Sequence, residues 1–384
     1  MKKKLAIIVT HPIQYYAPVF QLLAERGLID IKVFYTWGEG AKAKFDPDFK
    51  RAVDWDIPLL DGYKYEFVAN SSKDPGSHSF FGIKNPKIID AIETYSPDAI
   101  LVYGWAYHSH LKIMRHFRCK CHLMFRGDSN LLEGGSTIKR FLRQRFLSWV
   151  YSSITTALYV GSQNKRYFKY CGLDEQRLVF APHSTDNNRF GAPREEEAKI
   201  LRSKLGIEEE AIVILFAGKF QQIKNVSILL EAFIKANVAG CHLLLVGNGE
   251  LEEELKKTSN NRHNVHFLEF QNQSYLPVIY QAADIFCLPS LHETWGLAVN
   301  EAMAAGNAIL ASRTIGCAVD LVEEGGNGYV FDPTSVSDLQ DNMEKLCADR
   351  IKLMKMKVRG KELIRNWSFE KQVEAIEACV IDHE

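Results

Sequence analysis

The chain has 384 residues, 46% hydrophobic and 24% charged, with a formal net charge of zero. That length exceeds one ordinary core and points to two domains. The composition excludes collagen, coiled coil and disorder, and no apolar stretch reaches the ~20 residues of a membrane-spanning helix.

The charge is unevenly spread. Residues 1–190 hold 27 Lys+Arg against 18 Asp+Glu, a balance of +9, and the remainder holds 20 against 29, a balance of −9. A basic half suits an anionic neighbour such as a membrane surface or a lipid-phosphate acceptor, and it also fits solvated surface charge. The eight cysteines are scattered, and Cys119 and Cys121 match no zinc spacing. After Lys2-Lys3-Lys4 the apolar run Leu5 to Val9 is too short for a secretory h-region. The expectation is reduced thiols in a cytosolic protein.

Short β-rich apolar runs alternate with helical patterns, as in parallel sheets built from βαβ units. In the first half the strands are expected at Leu5–Thr10, Ile31–Tyr35, Ala99–Tyr103, His122–Phe125, Ala157–Val160 and Leu178–Ala181. Helices are expected at Ala17–Glu25, Pro86–Thr94, Ser109–Phe117, Thr137–Tyr151 and Ser162–Tyr170. The second half restarts with strands at Ile212–Ala217, His242–Val246, Val265–Leu268, Ile285–Leu288, Ala308–Ala311 and Gly328–Phe331. Its helices are expected at Val226–Ala236, Glu250–Thr258, Leu276–Ala282, Leu297–Ala305, Ala318–Glu323 and Ser337–Asp349. The charged stretch Arg194–Glu210 marks the expected boundary region. The expected fold is α/β, with two Rossmann-like domains facing each other across a cleft.

Three segments of the second half carry chemistry. In LPSLHETWGLAVNEAMAAG (288–306) a buried-type strand runs through a loop into a small-residue helix. Such a helix start offers free N–H groups and a positive dipole end to a phosphate, and Gly296 lets the backbone come close to an anion. Glu293 lies in the loop and Glu301 lies one turn into the helix. Carboxylates accept hydroxyl pairs, as on a sugar or ribose; taken singly, each is also an ordinary helix charge. In FAGKFQQIKN (216–225), Lys219 and Lys224 follow a strand end and can clamp a diphosphate leaving group; a solvated loop reads the same way. In LLLVGNGE (243–250), Gly247-Asn248-Gly249 permits a tight turn over a nucleotide, and it also fits an ordinary strand-to-helix turn.

In order and spacing these segments resemble the C-terminal domain of family-4 glycosyltransferases, the retaining GT-B class. The matching residues are Gly218-Lys219 with Lys224, Gly247-Asn248-Gly249, the E-x7-E pair Glu293 and Glu301 within P-S-x-x-E-x-x-G-L, the E-A-M-A-x-G of Glu301–Gly306, and N-G-Y-x-F-x-P at Asn327–Pro333. APHSTDNNRF (181–190) resembles the family's interdomain segment. WSFEKQVEAI (367–376) resembles its closing helix, which in the family returns to the first domain. The resemblance implies an N-terminal acceptor domain at 1–192, joined by a helix at 367–384, and a donor domain at 193–366. It implies that Glu293 holds the transferred sugar, that Glu301 grips the ribose, and that Lys219 and Lys224 bind the diphosphate. It also puts a distal phosphate on the N–H groups around Gly296 and Leu297, and the base near Phe270-Gln271. The family's first cation is usually Arg; Lys219 keeps the charge and loses the planar fork. No cofactor or metal is implied, and the expectation is that the chain has no D-x-D at a strand end of the kind metal-dependent transferases use and no His/Cys cluster at ligand spacing.

The first half departs from the family. HPIQYYAP (11–18) stands where a Gly-rich turn is usual, and it resembles a subgroup of bacterial surface-polysaccharide transferases. His11, directly after the first strand, is expected to face the cleft and bond a phosphate or sugar hydroxyl; a structural His is the alternative. In MFRGDS (124–129), Arg126 is a candidate for the diphosphate or an anionic acceptor, and Asp128 for an acceptor hydroxyl; an Arg–Asp pair holding a loop is the alternative. His108 and His110 are further acceptor candidates. STIKRFLRQRFLSWVYSSI (136–154) is basic and amphipathic, suited to an anionic membrane face or to packing with a solvated basic side.

The expected function is therefore transfer of a hexose-type sugar from a nucleotide-diphosphate sugar to a glycan or lipid-linked acceptor, in cell-surface polysaccharide synthesis. The expected location is cytoplasmic, with peripheral contact at an anionic membrane and no nucleic-acid partner. The alternatives are a non-catalytic subunit that binds nucleotide sugar and a GT-B enzyme acting on a small soluble acceptor. A dinucleotide oxidoreductase is disfavoured, since no G-x-G-x-x-G follows the first strand.

Overall fold

The structure, a computed structural model, describes residues 2–38, 44–46, 51–53, 55–132, 137–260 and 262–382. The chain divides into two units, one of residues 1–44, 57–183 and 369–384, the other of residues 45–56 and 184–368.

In chain order the first half holds β1 (Lys4–Val9), α1 (Ala17–Arg26), β2 (Asp30–Tyr35), the two-stranded β3 (Lys44–Asp46) and β4 (Arg51–Val53), and β5 (Tyr65–Phe67). There follow α2 (Ile88–Tyr95), β6 (Ala99–Tyr103), α3 (His108–His116), β7 (His122–Arg126), α4 (Thr137–Tyr151), β8 (Thr156–Tyr159), α5 (Ser162–Tyr170) and β9 (Leu178–Phe180). The first unit's sheet is parallel, in the order β5-β2-β1-β6-β7-β8-β9. Its central strands are apolar on both faces, as KLAIIV and AILVY show. That is what a parallel sheet covered by helices on both sides requires. Pro18 in the first turn of α1 and the left-handed Gly27 after it fix both ends of that helix.

The second half continues with α6 (Asn187–Gly191), α7 (Glu195–Lys204), β10 (Ile212–Ala217), α8 (Val226–Ala236), β11 (Cys241–Val246), α9 (Glu252–Ser259), β12 (Val265–Leu268), α10 (Leu276–Gln281) and β13 (Ile285–Leu288). It ends with α11 (Leu297–Ala305), β14 (Ala308–Ser312), α12 (Ala318–Leu321), β15 (Gly328–Phe331), α13 (Val336–Ala348), α14 (Arg350–Ile364) and α15 (Phe369–Ile381). The second sheet is also parallel, in the order β12-β11-β10-β13-β14-β15. In sequence rank this is 3-2-1-4-5-6, the doubly wound Rossmann order, and the first sheet repeats it with one strand added. The order reverses between β1 and β6 and again between β10 and β13. The loops beyond the carboxyl ends of those pairs are where such sheets bind ligands.

The boundary expected at 192/193 lies at 183/184. Asp186 caps α6 by accepting from Arg189 N at 2.9 Å, and Phe190 is buried against Tyr280. The charged stretch 194–210 lies within the second unit. Glu195, Glu196 and Glu197 open α7, where they complement the helix dipole, and Ala198 and Leu201 are buried. The chain re-enters the first unit with α15, whose Val373, Ile376 and Val380 join the core of Ile7, Phe20, Leu23 and Leu101. Arg26 clasps the Glu377 carboxylate with Nε and Nη2. Of the expected 367–384 helix, residues 383–384 lie outside the described residues, as does Ser136 at the head of the basic stretch.

Candidate functional site

In the second unit, the loops after β10 and β13 bring Lys224 and Glu293 together. Lys224 Nζ donates to Glu293 Oε1, and Ser290 Oγ donates to the same oxygen at 2.9 Å. The two charged side chains are 26% and 18% exposed, so the pair stays open to solvent. Asn225 holds the first loop in place. In left-handed backbone (φ 55°), it donates Nδ2 to the carbonyls of Pro289 and Pro333. The loop carrying Glu293 is fastened to the crossover after β14. Glu293 N donates to Thr314 O at 3.3 Å, Gly316 N to Glu293 O at 3.2 Å, and Ser312 and Thr314 hydroxyls both reach Ser290 O. A carboxylate held this way meets a ligand with little reorganisation.

Gly296 starts α11 with φ 100°. A Cβ there would stand 2.7 Å from the Ile315 side chain. Its glycine therefore serves the packing of the helix start. Leu297 is the first helical residue and stays half-exposed, so the α11 N–H groups and dipole end open beside Glu293. Glu301 is not a surface helix residue. It is 3% exposed, and Oε2 accepts from the Tyr280 hydroxyl at 2.8 Å.

Gly218 and Lys219 leave the end of β10, with Lys219 half-exposed. The G-N-G turn after β11 has a different cause from the one expected. At Gly247 (φ 138°) a Cβ would lie 1.9 Å from Gly218 O, and at Gly249 it would lie 2.4 Å from Phe220 O. These glycines let two backbone loops touch, and Phe220 N→Asn248 O and Leu251 N→Phe220 O bind the loops together. Asn248 then positions the next loop, with Oδ1 accepting from Phe270 N at 2.9 Å. Gln271 folds back, donating Nε2 to Glu269 O.

The first unit's candidates divide. His11 is half-exposed after β1, with Nδ1 2.9 Å from Thr10 Oγ1 and its ring edge-on to Trp37. Asp128 is half-exposed beyond β7. Arg126 is turned into the unit, with the Asp128 carboxylate close enough to favour its charge. It is 3% exposed and donates Nη1 to Ala181 O at 2.7 Å and Nη2 to Pro182 O at 2.9 Å. His183, buried beside it, is pushed down to about 4 by burial and by the Arg126 charge. Tyr16 stacks on His183, and burial followed by Asp128 raises its phenol.

His110 is likewise no acceptor residue. It is fully buried, with Nδ1 2.8 Å from Gly104 O and Nε2 2.9 Å from Thr36 Oγ1, and burial lowers it to about 4. His108 sits against Phe80 and Phe81, lowered by burial and by the cations Lys84 and Lys112. Sequence reasoning missed Ser312, Thr314, Asn225 and Tyr280 as supports. Ser290 and Asn225 lie inside the two motif segments; Ser312, Thr314 and Tyr280 become partners only through the parallel strand order. Among the described residues, no three His, Cys, Asp or Glu side chains are placed to hold a metal ion.

Residues 197–363 match the family model described as glycosyl transferases group 1. A D-inositol 3-phosphate glycosyltransferase of Corynebacterium jeikeium is 32% identical over 182 residues, covering 44% of this chain and 43% of the relative. An uncharacterized glycosyltransferase of Methanocaldococcus jannaschii is 27% identical over 158 residues, covering 40% of each chain. The chain thus matches about half the length of these curated relatives or less. Among solved structures, sucrose-phosphate synthase of Thermosynechococcus elongatus superimposes with TM-score 0.74 at 19% identity, covering 98% of this chain and 97% of the other. Anabaena HepE in complex with UDP gives 0.75 at 17% identity, covering 100% of both chains. WaaG, a glycosyltransferase involved in lipopolysaccharide biosynthesis, gives 0.68 at 16%, covering 99% and 100%. At these identities the structures show the fold. The chain has the GT-B fold, and its residues 197–363 form a glycosyl transferases group 1 domain.

Proposed function

We infer that this chain is a retaining glycosyltransferase that takes a hexose-type sugar from a nucleoside-diphosphate donor held by its second unit. The observation that carries this reading is the half-open Lys224–Glu293 pair beside the α11 helix start, at the point where the strand order reverses. A pair this exposed is worth on the order of 1 kcal/mol, so a phosphate can take the lysine and a sugar hydroxyl the carboxylate. The similarity to glycosyltransferases and to a HepE structure that holds UDP supports a sugar-nucleotide donor.

In the reaction, the bond between the anomeric carbon and the diphosphate oxygen breaks, and the acceptor oxygen bonds that carbon from the same face. The acceptor proton passes to the departing phosphate. Lys219, Lys224 and the α11 N–H groups balance the charge that grows on the leaving group. Glu293 orients the sugar, and no protein nucleophile is assigned. Cations and helix dipole take the part a divalent metal plays elsewhere. His11 and Asp128, half-exposed at strand ends of the first unit, are the acceptor-side residues.

The acceptor is a glycan or lipid-linked sugar of the cell surface. α4 supports this by exposing Ile138, Phe141, Leu142, Phe146 and Trp149 on a helix that also carries Lys139, Arg140, Arg143 and Arg145. Such a face lies on an anionic bilayer from the cytoplasmic side. Among the described residues no helix is long and apolar enough to cross a membrane.

The test is nucleotide release from a panel of UDP-, GDP- and ADP-sugars in chelator and detergent, with and without lipid extract, beside Glu293→Ala. Release from one donor that the extract stimulates and the variant loses supports the reading, and NMR of the product's anomeric configuration tests retention. Donor binding without turnover would favour a non-catalytic nucleotide-sugar subunit. Turnover with small soluble sugars alone would overturn the lipid-linked acceptor.

A further inference from the structure

The loop after β12 is held from three sides. Asn248 Oδ1 accepts from Phe270 N at 2.9 Å, and Arg189 Nη2 reaches the buried Gln273 side chain at 2.8 Å. The third hold comes from far away in sequence. The Asp56 carboxylate accepts from Ser274 N at 3.0 Å and from the Ser274 hydroxyl. Residues 45–56, which leave the first half of the sequence, belong to the second unit. Asp56 thereby fixes the residue before it, Trp55, whose indole lies 6.5 Å from the Phe270 ring at an interplanar angle of 56°. Both rings are half-buried. They meet as a wedge rather than a closed stack, which leaves aromatic surface facing outward.

This wedge stands at the carboxyl end of β12. Two strands away, Lys219 follows the end of β10. Two strand spacings are roughly 10 Å, the order of the distance between the diphosphate and the base of a nucleoside diphosphate. The intervening turn after β11 packs through Gly247 and Gly249, backbone to backbone, against the loop that carries Lys219.

We propose that Trp55, with Phe270, stacks on the nucleobase of the donor, so that a residue of the first half of the sequence completes the donor site of the second unit. This rests on the donor reading above. Every base presents a π face, so the wall serves uracil and guanine alike and leaves base choice to the polar groups of the loop.

The experiment is calorimetric titration of the full chain with UDP, GDP and inorganic pyrophosphate, for the native protein, Trp55→Ala and Trp55→Phe. Loss of one base-stacking ring weakens binding roughly tenfold or more. The expected result is that loss for the preferred nucleotide in Trp55→Ala, near-native affinity in Trp55→Phe, and unchanged pyrophosphate binding in both. Equal nucleotide affinity in Trp55→Ala and the native protein overturns the inference and leaves the donor reading standing. Parallel loss of nucleotide and pyrophosphate also overturns it, because Trp55 then only holds the unit together. If the native protein binds neither UDP nor GDP, the donor reading itself fails and the inference with it.

Discussion

The two sheets share one strand order, yet the residues beyond their carboxyl ends are used differently. In the second unit, Lys224 and Glu293 keep a fifth to a quarter of their side-chain surface in solvent and answer each other. In the first, Arg126, His110 and His183 have turned inward, and the first two bind main-chain carbonyls of their own unit. Topology supplies the place where a site can form; side-chain burial decides whether the charges there serve a ligand or the fold.

The largest effect that can break this comparison is on turnover. Glu293→Ala should lower donor turnover by about 10²–10³-fold, the usual cost of one preorganised stabilising group, with the melting temperature nearly unchanged. Nucleotide release measures the first and thermal unfolding the second. If Glu293→Ala unfolds the protein instead, the second unit's pair is as structural as the first unit's cluster.

Arg126→Met should do the reverse. It leaves two buried carbonyls without donors, a cost of about 2–3 kcal/mol in stability, read from the urea midpoint. Donor affinity should hold. Loss of donor binding at native stability would return Arg126 to the site.

Protons offer a gentler probe of the first unit. The folded-state values of His110 and His183 are lowered to about 4 from an ordinary 6.5, chiefly by burial. The unfolded chain then takes up these protons near pH 6.5, and the folded chain resists them until about pH 4. Stability is full above pH 7, falls as pH drops below 6.5, and loses about 2 kcal/mol per histidine by pH 5. His110→Asn should flatten the pH dependence of the urea midpoint between 7 and 5. An unchanged slope would show that this ring is not held neutral.

The smallest effect expected is at α4. Phe141 and Leu142 are 59% and 62% exposed. Phe141→Ser with Leu142→Ser should move stability by no more than about 0.5 kcal/mol, while co-sedimentation with anionic liposomes at low salt falls. A large loss of stability would mean the face is covered within the chain.

Both sheets were legible because a strand buried on both faces must be apolar throughout, so ILFA, LLLV and IFCL declare themselves. β5 (YEF) has no such run and α14 is basic nearly all round, and neither was anticipated. The Lys224 and Glu293 positions were legible because their loops follow recognisable strands. Arg126 misled, because a cation at a strand end reads alike whether it meets a phosphate or two carbonyls 55 and 56 residues away. Gly247 was found for the wrong reason, since no local pattern shows that another loop's backbone lies against it.

The return of α15 has a consequence for how the chain is made. Val373, Ile376 and Val380 are part of the first unit's core, and they are translated only after the whole second unit has been synthesised. Domains generally fold in the order of their synthesis, but here the unit begun first is finished last. While it waits, the surfaces of Leu23 and Phe20 that α15 covers stand open, and nascent chains stalled before residue 369 are the ones for a chaperone to hold.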